Sequence, residues 1–353
     1  MYTLEIYQLN PLLGTFARID TIDTYKNLSF TDRLNGIGSC TFSLSIYDPK
    51  ASQANLIRFR NHVVIKKDSV IKWFGPIVNV NSNFVGIEGE INVECNTMLY
   101  HLKTRYTAKL LEITATDQST ILWNLINTSQ GLAYGNLGIT AGSLPATVSR
   151  DRTYPYTDLA SAIIGMSNII GGIEFDFQAT TSGGLFTGCT FNTYVSKGTT
   201  RSDLPALKID SNMKMIQTAT KENIFNNMIL EGAGTGEVLI STGSDSASQS
   251  AYTRREEIIK AADVSIQDTL DTKLNNLLNF YKVEGSLVEM ELYPTKTPTL
   301  DDLNLGDVHT LNISLAGTGG YLDMVKQARL WEYTVNIDVN GVERVKPKFI
   351  LIN

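Results

Sequence analysis

Apolar and polar residues alternate with a period of two in several short stretches of the chain, and this pattern predicts half-buried β-strands. Residues 41–46, TFSLSI, alternate without interruption, and residues 28–31 have the same period before the turn Asn35-Gly36-Ile37-Gly38. These stretches predict a β-hairpin with a glycine-containing turn. A short helical connection is expected over residues 48–56. Further strands are predicted at 62–66, 71–80 and 87–95, which completes a compact β unit over residues 1–104.

A segment with helical periodicity follows the first β unit. Thr116 or Asp117 can cap a first helix, and Gly171-Gly172 is expected to end a second one. The apolar residues at helical spacing are Ile121, Leu122, Leu125 and Ile126 in the first helix and Leu159, Ile163, Met166 and Ile170 in the second. The predicted strands of this region are 173–177 and 189–194. We therefore place a small α+β domain at residues 105–205.

Residues 206–353 return to the strand pattern and are predicted to form a second β unit with one inserted helix near 265–281. Ser265 and Asp268 resemble a capping box at the start of that helix. Apolar residues alternate again at Val288, Met290 and Leu292, and then at Trp331, Tyr333, Val335, Ile337 and Val339. The Asn340-Gly341 pair predicts a type I′ turn, after which the chain returns over residues 342–352.

A glycine-rich stretch, MILEGAGTGEVLI at residues 228–240, raises the question of nucleotide binding. A dinucleotide fingerprint needs Gly-x-Gly-x-x-Gly at the start of a helix. Here Gly236 follows Gly232 and Gly234 one residue too early, and a β-branched run comes next. The stretch therefore predicts a glycine-rich hairpin whose glycines provide backbone freedom. An oxidoreductase that uses it is disfavoured.

The composition describes an ordered globular protein with few charges. Of the 353 residues, 42% are hydrophobic and 19% charged, and no apolar window is long enough to span a membrane. The first twenty residues lack the basic and apolar regions of a signal peptide, so we expect the protein to fold in a reducing cytoplasm.

Cysteine usage and charge exclude two further classes. Cys40, Cys95 and Cys189 are far apart and odd in number, which argues against a disulfide framework and a paired zinc spacing. The net charge is −6, and no stripe of Lys and Arg alternates with aromatic residues. Tight nucleic-acid binding is therefore not expected, and any DNA that meets the protein should slide past it.

The residues that commonly carry catalysis do not form a recognised pattern. His62, His101 and His309 lack metal-ligand spacing, and strand-end histidines are the simpler interpretation of His62 and His309. The acidic pairs Glu256-Glu257 and Asp301-Asp302 are interpreted as solvated turns or helix starts. We therefore predict no catalytic, cofactor-binding or metal-ligating residue and expect that the protein is not an enzyme.

Several segments together resemble a known family. Residues 28–49 and 61–80, including Trp73-Phe74-Gly75-Pro76-Ile77, resemble the N-terminal barrel of phage tail-tip proteins. That group comprises the baseplate hub, related siphophage tail proteins and the structural N-terminal region of tail-associated lysins. Later segments similar to the same family are 169–178, 226–237 and 329–349.

The resemblance implies a mainly β fold with α+β insertions, in which two tube-like β-barrel domains flank a small α+β domain. It implies a homotrimeric ring, because three copies provide six barrels that can stack on a six-fold tail tube. The implied partners are distal tail or tube proteins, a tape-measure protein and a tip fibre or spike. Phage DNA would pass transiently without specific binding. The implied location is the virion tail tip, after assembly in the host cytoplasm.

A receptor-binding or carbohydrate-binding adhesin at the same tail tip is the alternative. Exposed Trp73 or Trp123 could stack on sugar rings, whereas burial of these tryptophans in a barrel or helix interface would remove that support. Binding of glycans by the isolated chain would favour the adhesin, and a ring-shaped trimer would favour the hub.

Overall fold

A computed structural model describes residues 1–85, 88–169, 171–220, 223–234, 239–261, 264, 266–283, 286–313 and 324–352. Strands hold 49% of the residues and helices 17%, with large antiparallel sheets, so the predicted mainly β fold is confirmed. The two tube-like barrels stay a prediction. Within the described ranges, no helix is both long and apolar enough to cross a membrane.

The chain contains twenty strands in its described part, with four α-helices and two 3₁₀ helices between them. The strands of the first part are β1 (Tyr2–Asn10), β2 (Thr15–Ile22), β3 (Lys26–Arg33), β4 (Ser39–Ser45), β5 (Asn61–Lys67), β6 (Val70–Val85), β7 (Glu88–Asn96), β8 (Leu111–Asp117), β9 (Ile139–Ala141), β10 (Ser149–Tyr154), β11 (Glu174–Ser182) and β12 (Leu185–Tyr194). Those of the second part are β13 (Met213–Thr220), β14 (Asn227–Glu231), β15 (Ile240–Ser244), β16 (Glu256–Lys260), β17 (Ser286–Leu292), β18 (Val308–Ile313), β19 (Met324–Ile337) and β20 (Glu343–Ile352). The helices are α1 (Gln118–Gln130), α2 (Leu159–Ser167), α3 (Ser246–Tyr252) and α4 (Gln267–Tyr281), and Met98–Thr104 and Leu300–Asp302 are 3₁₀-helical.

The chain divides into two compact units. Unit 1 comprises Met1–Pro205, Glu291–Val308 and Leu330–Pro347, and unit 2 comprises Ala206–Met290, His309–Arg329 and Lys348–Asn353. This division differs from three consecutive domains, because segments from the last third of the chain belong to unit 1. The predicted domains 1–104, 105–205 and 206–353 stay a prediction.

Unit 1 is organised by a long sheet with the strand order β19-β3-β4-β7-β6-β5-β1-β2. The predicted β3–β4 hairpin is present, and the predicted strands at 62–66 and 71–80 form a second hairpin, β5–β6. At the β5–β6 turn, Asp68 and Ser69 have φ of 49° and 72°, the two positive values that a type I′ turn requires. Residues 48–56 form turns and are not helical, so that prediction is wrong. Polar side chains bind the local backbone there: Asp48 accepts from the N–H of Lys50 at 2.8 Å.

The α+β part of unit 1 packs around an apolar core that also includes Leu9 of β1 and Met98 and Leu102 of the 3₁₀ helix. Ile121, Leu122 and Ile163 are fully buried in it, as the helical spacing predicts. The carboxylate of Asp117 caps α1 and accepts from the N–H of Ser119 at 2.9 Å. Helix α2 ends at Ser167, earlier than predicted, and the C-cap residue is Asn168. Ile170 lies outside the described residues.

Unit 2 contains a three-stranded sheet in the order β15-β14-β16, against which α4 packs. The core between them includes Met228, Leu230, Leu270, Leu274 and Leu278. The alternation at 288–292 is confirmed, because Val288, Met290 and Leu292 are all buried. The predicted cap residue Ser265 lies outside the described residues, and Ile266 is the N-cap residue, without a side-chain hydrogen bond.

The glycine-rich stretch connects two antiparallel strands of unit 2, since Glu231 at the end of β14 pairs with Ile240 at the start of β15. Gly236 lies outside the described residues. At Gly232 the reason for glycine is close approach: an added Cβ would lie 2.9 Å from the carbonyl oxygen of Val264 and 3.0 Å from the Cβ of Leu239. The glycine at this position therefore serves packing, with no positive φ.

The last hairpin has strands where the alternation predicts them, but a different turn. Gly341 has φ of 77°, whereas Asn340 does not adopt a positive φ, so the predicted type I′ turn is wrong. The N–H of Gly341 donates to the carbonyl of Asp338 at 2.9 Å. The Asp338 carboxylate also accepts from the N–H groups of Asn340 and Val342. An aspartate-stabilised turn that ends in a left-handed glycine thus replaces the two-residue loop.

Candidate functional site

A cleft with a volume of about 610 Å³ opens on unit 1 and brings together groups from distant parts of the sequence. Strand β3 contributes Asp32, β11 contributes Asp176, and β19 contributes Tyr333. Lys197 follows β12, and Trp73 and its neighbours on β6 line another side. The cleft thus combines charged groups of both signs with aromatic side chains.

Asp32 is a part-buried carboxylate of the cleft with few partners among the described residues. Its carboxylate accepts one hydrogen bond, from the N–H of Arg33 at 2.9 Å. Burial raises the pKa of Asp32 to about 6, the Lys197 ammonium and this N–H oppose the rise, and Asp176 adds to it. The group is therefore ionised at pH 7 although its surroundings disfavour the charge.

Asp176, by contrast, has a full set of partners. The ammonium of Lys197 lies 2.7 Å from its Oδ2. The amide of Asn192 donates to its Oδ1 at 3.1 Å, the amide of Gln178 donates to Oδ2 at 3.0 Å, and the hydroxyl of Tyr194 reaches both oxygens. Asp176 and Lys197 thus form a neutral, well-bonded pair beside Asp32.

Tyr333 faces Asp32 directly across the pairing of β19 with β3. Within the described part of the chain, its hydroxyl has no hydrogen-bond partner. Burial and the nearby Asp32 raise the pKa of Tyr333, so the hydroxyl stays protonated and able to donate. A neutral donor and an ionised acceptor therefore stand side by side in the cleft.

The other charged residues of the cleft are held by acidic partners. Lys72 on β6 lies 2.6 Å from the carboxylate of Asp301, and Arg33 pairs with the buried Glu332 opposite it on β19. Trp73 is buried, and its indole N–H donates to the carbonyl of Thr31 at 3.2 Å. Within the part of the chain that the structure describes, Asp32 thus has no ion-pair partner, although the ammonium of Lys197 is near enough to lower its pKa.

A second concavity of unit 1, of about 790 Å³, is mainly apolar. Arg105 lies at its base and donates to the carbonyl oxygens of Gly135 at 2.6 Å and Ser129 at 3.3 Å. Burial lowers the pKa of Arg105, and these carbonyls at the end of α1 compensate its charge. The guanidinium is therefore hydrogen-bonded to neighbouring backbone carbonyls and stabilises the residues that line this concavity.

Two of the three histidines meet inside unit 1. His62 is completely buried in β5, and its Nε2 lies 3.0 Å from the Nε2 of His101. Burial lowers the pKa of His62 to about 3, so the pair is neutral at pH 7. His62 is the second residue of β5 and His309 the second residue of β18, so both lie at strand ends, as the sequence predicts. Among the described residues there is no cluster of three metal-ligating side chains.

Two cysteines also meet. Cys40 on β4 is directly opposite Cys95 on β7, and both thiols are buried and free. Burial and the neighbouring Cys40 thiol raise the pKa of Cys95 well above its usual value. Their separation in the sequence hid this pairing, which becomes visible only once β4 and β7 are paired in register.

The acidic pairs have local roles. Glu256 begins β16, is exposed, and lies 2.6 Å from the guanidinium of Arg254. Asp302 accepts from the N–H and the hydroxyl of Thr299 at 2.8 and 3.0 Å, which forms a cap for the 3₁₀ helix. Asp301, as described above, holds Lys72. The cleft residues Asp32, Asp176, Lys197 and Tyr333 were not singled out by the sequence, because no two of them are close along the chain.

Neither tryptophan that the adhesin alternative depends on is exposed. Trp73 is 3% exposed, and Trp123 is partly buried and packs against the α1–α2 core. Sugar rings need an accessible aromatic face for stacking. These two side chains therefore contribute packing in the structure.

Comparisons with known proteins relate this fold to tail proteins. No protein-family model matches the sequence, and no curated protein matches it either. The tail protein from Neisseria meningitidis MC58 aligns with a TM-score of 0.61 and 12% identity, over 99% of this chain and 96% of that one. The 43 kDa tail protein of prophage MuSo2 from Shewanella oneidensis gives 0.61 and 9%, over 99% and 98%.

A further solved structure with this fold comes from E. coli. It is described as a component of the type VI secretion system with structural similarity to the T4 bacteriophage tail proteins gp27 and gp5. It aligns with a TM-score of 0.53 and 9% identity, over 93% of this chain and 74% of that one. At these identities the likeness establishes a common fold. The chain thus has the fold of phage and prophage tail proteins along nearly its whole length.

Proposed function

We propose that this chain is a structural protein of the tail of a phage or tail-derived particle, and that it acts as the hub at the tail tip. The observation that carries the proposal is the fold shared with two prophage or bacterial tail proteins over 99% of this chain. Almost all of each of those chains is matched as well. The proposal therefore concerns the role of the whole chain, without reference to any single motif.

In the finer form of the proposal, the chain is a homotrimer that closes the tail tube and attaches tip proteins. Two tube-like barrels per chain would give six around a ring, and this would fit a six-fold tube. Its partners would be the distal tail or tube protein, the tape-measure protein and a tip fibre or spike. The particle would be assembled in the host cytoplasm, and the protein would reside at the virion tail tip.

The charge is compatible with passage of DNA. A net charge of −6 with evenly spread basic residues offers DNA no cationic track, and phosphate neutralisation is what makes a protein retain DNA. We therefore infer that DNA passes the hub without specific binding. We also propose that the chain has no catalytic activity. Intact peptidoglycan after incubation with the protein would agree with this, and soluble muropeptides above a buffer control would contradict it.

The hub proposal is tested by the oligomeric state of the purified protein. We expect light scattering to give three times the 38.9 kDa mass of the chain, and electron microscopy to display a six-lobed ring. A monomer at all concentrations that can be reached, in the presence and absence of the tube protein, would overturn the hub. The adhesin alternative gains no support from Trp73 or Trp123, which are buried or half-buried.

A further inference from the structure

The cleft of unit 1 has one negative charge more than its internal ion pairs compensate. Lys197 is taken by Asp176, which it approaches to 2.7 Å. Arg33 and Lys72 are likewise held by acidic partners. Among the described residues, the carboxylate of Asp32 accepts a hydrogen bond only from the N–H of Arg33. Asp32 is part-buried, and a carboxylate that has lost part of its hydration without gaining an ion-pair partner is destabilised; a bound cation would offset this loss.

We propose that this cleft binds the cationic side chain of a lysine or arginine that is presented by a partner protein. Asp32 would form the ion pair with the ammonium or guanidinium, and the Tyr333 hydroxyl beside it would complete the polar end. The part-buried aromatic residues of the cleft, Phe74 and Phe177, would cover the aliphatic stem. The volume of about 610 Å³ is ample for one such side chain and part of its backbone.

Charge and donor counts favour a cation over other occupants. A neutral polyol could hydrogen-bond to Asp32 and Tyr333 but would leave the charge of the carboxylate unpaired. A divalent metal ion requires several oxygen ligands, and no cluster of three candidate ligands occurs in the described ranges. An anion would be repelled by Asp32. A monovalent organic cation is the remaining class that matches both the charge and the apolar walls.

The choice of a protein as the carrier of the cation rests on the proposed function, since a tail protein is surrounded by other tail proteins in its assembly. The binding of the cation itself does not depend on that function. The two can therefore fail separately: a chain that binds the cation but remains monomeric would refute the hub and leave the cleft proposal intact.

The experiment titrates the full-length protein with Nα-acetyl-lysine amide, and with Nα-acetyl-norleucine amide as the neutral analogue, by ligand-observed NMR at pH 7.5. We expect saturable binding of the lysine compound and none of its analogue. Asp32→Asn should weaken binding by about tenfold or more, because it removes a charge-assisted bond. Asp23→Asn, which changes an exposed aspartate outside the cleft, is the matched control and should leave binding unchanged.

A pH series on the unmodified protein tests the proposal without any variant. The titratable groups facing Asp32 are Asp176 on β11, Lys197 after β12 and Tyr333 on β19. Asp32 has a pKa of about 6, so binding should weaken as the pH falls from 7.5 to 5. This arm remains decisive if Asp32→Asn fails to fold.

Three results would overturn the proposal. Equal binding of the norleucine analogue would mean that the cleft recognises only the apolar stem. Binding that Asp32→Asn leaves unaffected would place the cation elsewhere. Tenfold tighter binding of putrescine than of the capped lysine would assign the cleft to a free polyamine in place of a protein side chain.

Discussion

The buried ion pair of Glu5 and Lys66 gives the sharpest test of how unit 1 is held together. Lys66 Nζ lies 2.6 Å from one oxygen of Glu5 and donates to the carbonyl of Gly184 at 2.8 Å; both charged side chains are less than a tenth exposed. Tyr7 donates to the same carboxylate at 2.7 Å, and Arg18, which is 45% exposed, reaches the other oxygen at 3.0 Å. Burial acts to raise the pKa of Glu5, but Lys66, Tyr7 and Arg18 together hold it below its usual value.

Lys66→Met removes the buried cation and keeps most of the apolar volume. Breaking a buried pair costs about 3–5 kcal/mol, and we expect about 3 kcal/mol because Tyr7 and Arg18 still contact Glu5. Arg18→Met removes a cation from the same carboxylate at a half-exposed position and should cost less than about 1 kcal/mol. The two variants therefore differ mainly in how deeply the lost charge is buried.

The assay is urea unfolding followed by tryptophan fluorescence. Trp73, Trp123 and Trp331 are the three tryptophans of the chain, and all belong to unit 1, so the signal reports this unit alone. At a slope of about 2–3 kcal/mol per molar, Lys66→Met should lower the midpoint by about 1 M or more. A midpoint for Lys66→Met equal to that of Arg18→Met would refute the reasoning that burial makes this pair important.

Three further predictions concern single positions. Gly75→Ala should destabilise unit 1 by more than about 3 kcal/mol, because the new Cβ would lie 1.8 Å from a backbone oxygen of the next strand. At Gly165 in α2 an added Cβ meets nothing within 4 Å, so Gly165→Ala should stabilise the protein by about 0.5–1 kcal/mol. Equal urea midpoints of the two variants would contradict this. Gly341→Val should cost about 1 kcal/mol or more, since Gly341 has φ of 77°, and an unchanged melting temperature would argue against strain there. Burial keeps the pKa of His62 at about 3 in the folded protein, against about 6.5 in the unfolded chain. Because the unfolded chain binds the proton more readily, the free energy of unfolding should decrease as the pH falls below 6.5, by about 2 kcal/mol at pH 5. In His62→Gln this part of the pH dependence of stability should disappear.

Local patterns predicted the elements of this fold well where burial follows the period of the element. The alternation at 41–46 and 288–292 corresponds to strands β4 and β17, and the Asp117 cap was found because capping is decided within four residues. The patterns failed where polar side chains bind their own backbone. Residues 48–56 form turns for that reason, and the turn after Ile337 is shaped by one aspartate side chain.

The cleft could not be predicted in this way, because it depends on which residues of distant strands lie opposite each other. Asp32 and Tyr333 are neighbours only through the register of β3 against β19, and a slip by one residue would put Glu332 or Thr334 in the place of Tyr333. In the local pattern Asp32 follows Leu28 and Phe30 on the inward face of β3, but one polar residue near the end of a strand does not indicate a cleft. The raised pKa of Asp32 means that its ionised carboxylate destabilises the folded state at pH 7, and that this destabilisation decreases as the pH falls below about 6. Asp32→Asn should therefore stabilise unit 1 at pH 7 and have little effect at pH 4, while weakening the binding of the cation. If Asp32→Asn instead lowers the stability at both pH values, the Asp32 carboxylate stabilises the fold, and the reasoning that its charge destabilises unit 1 is wrong.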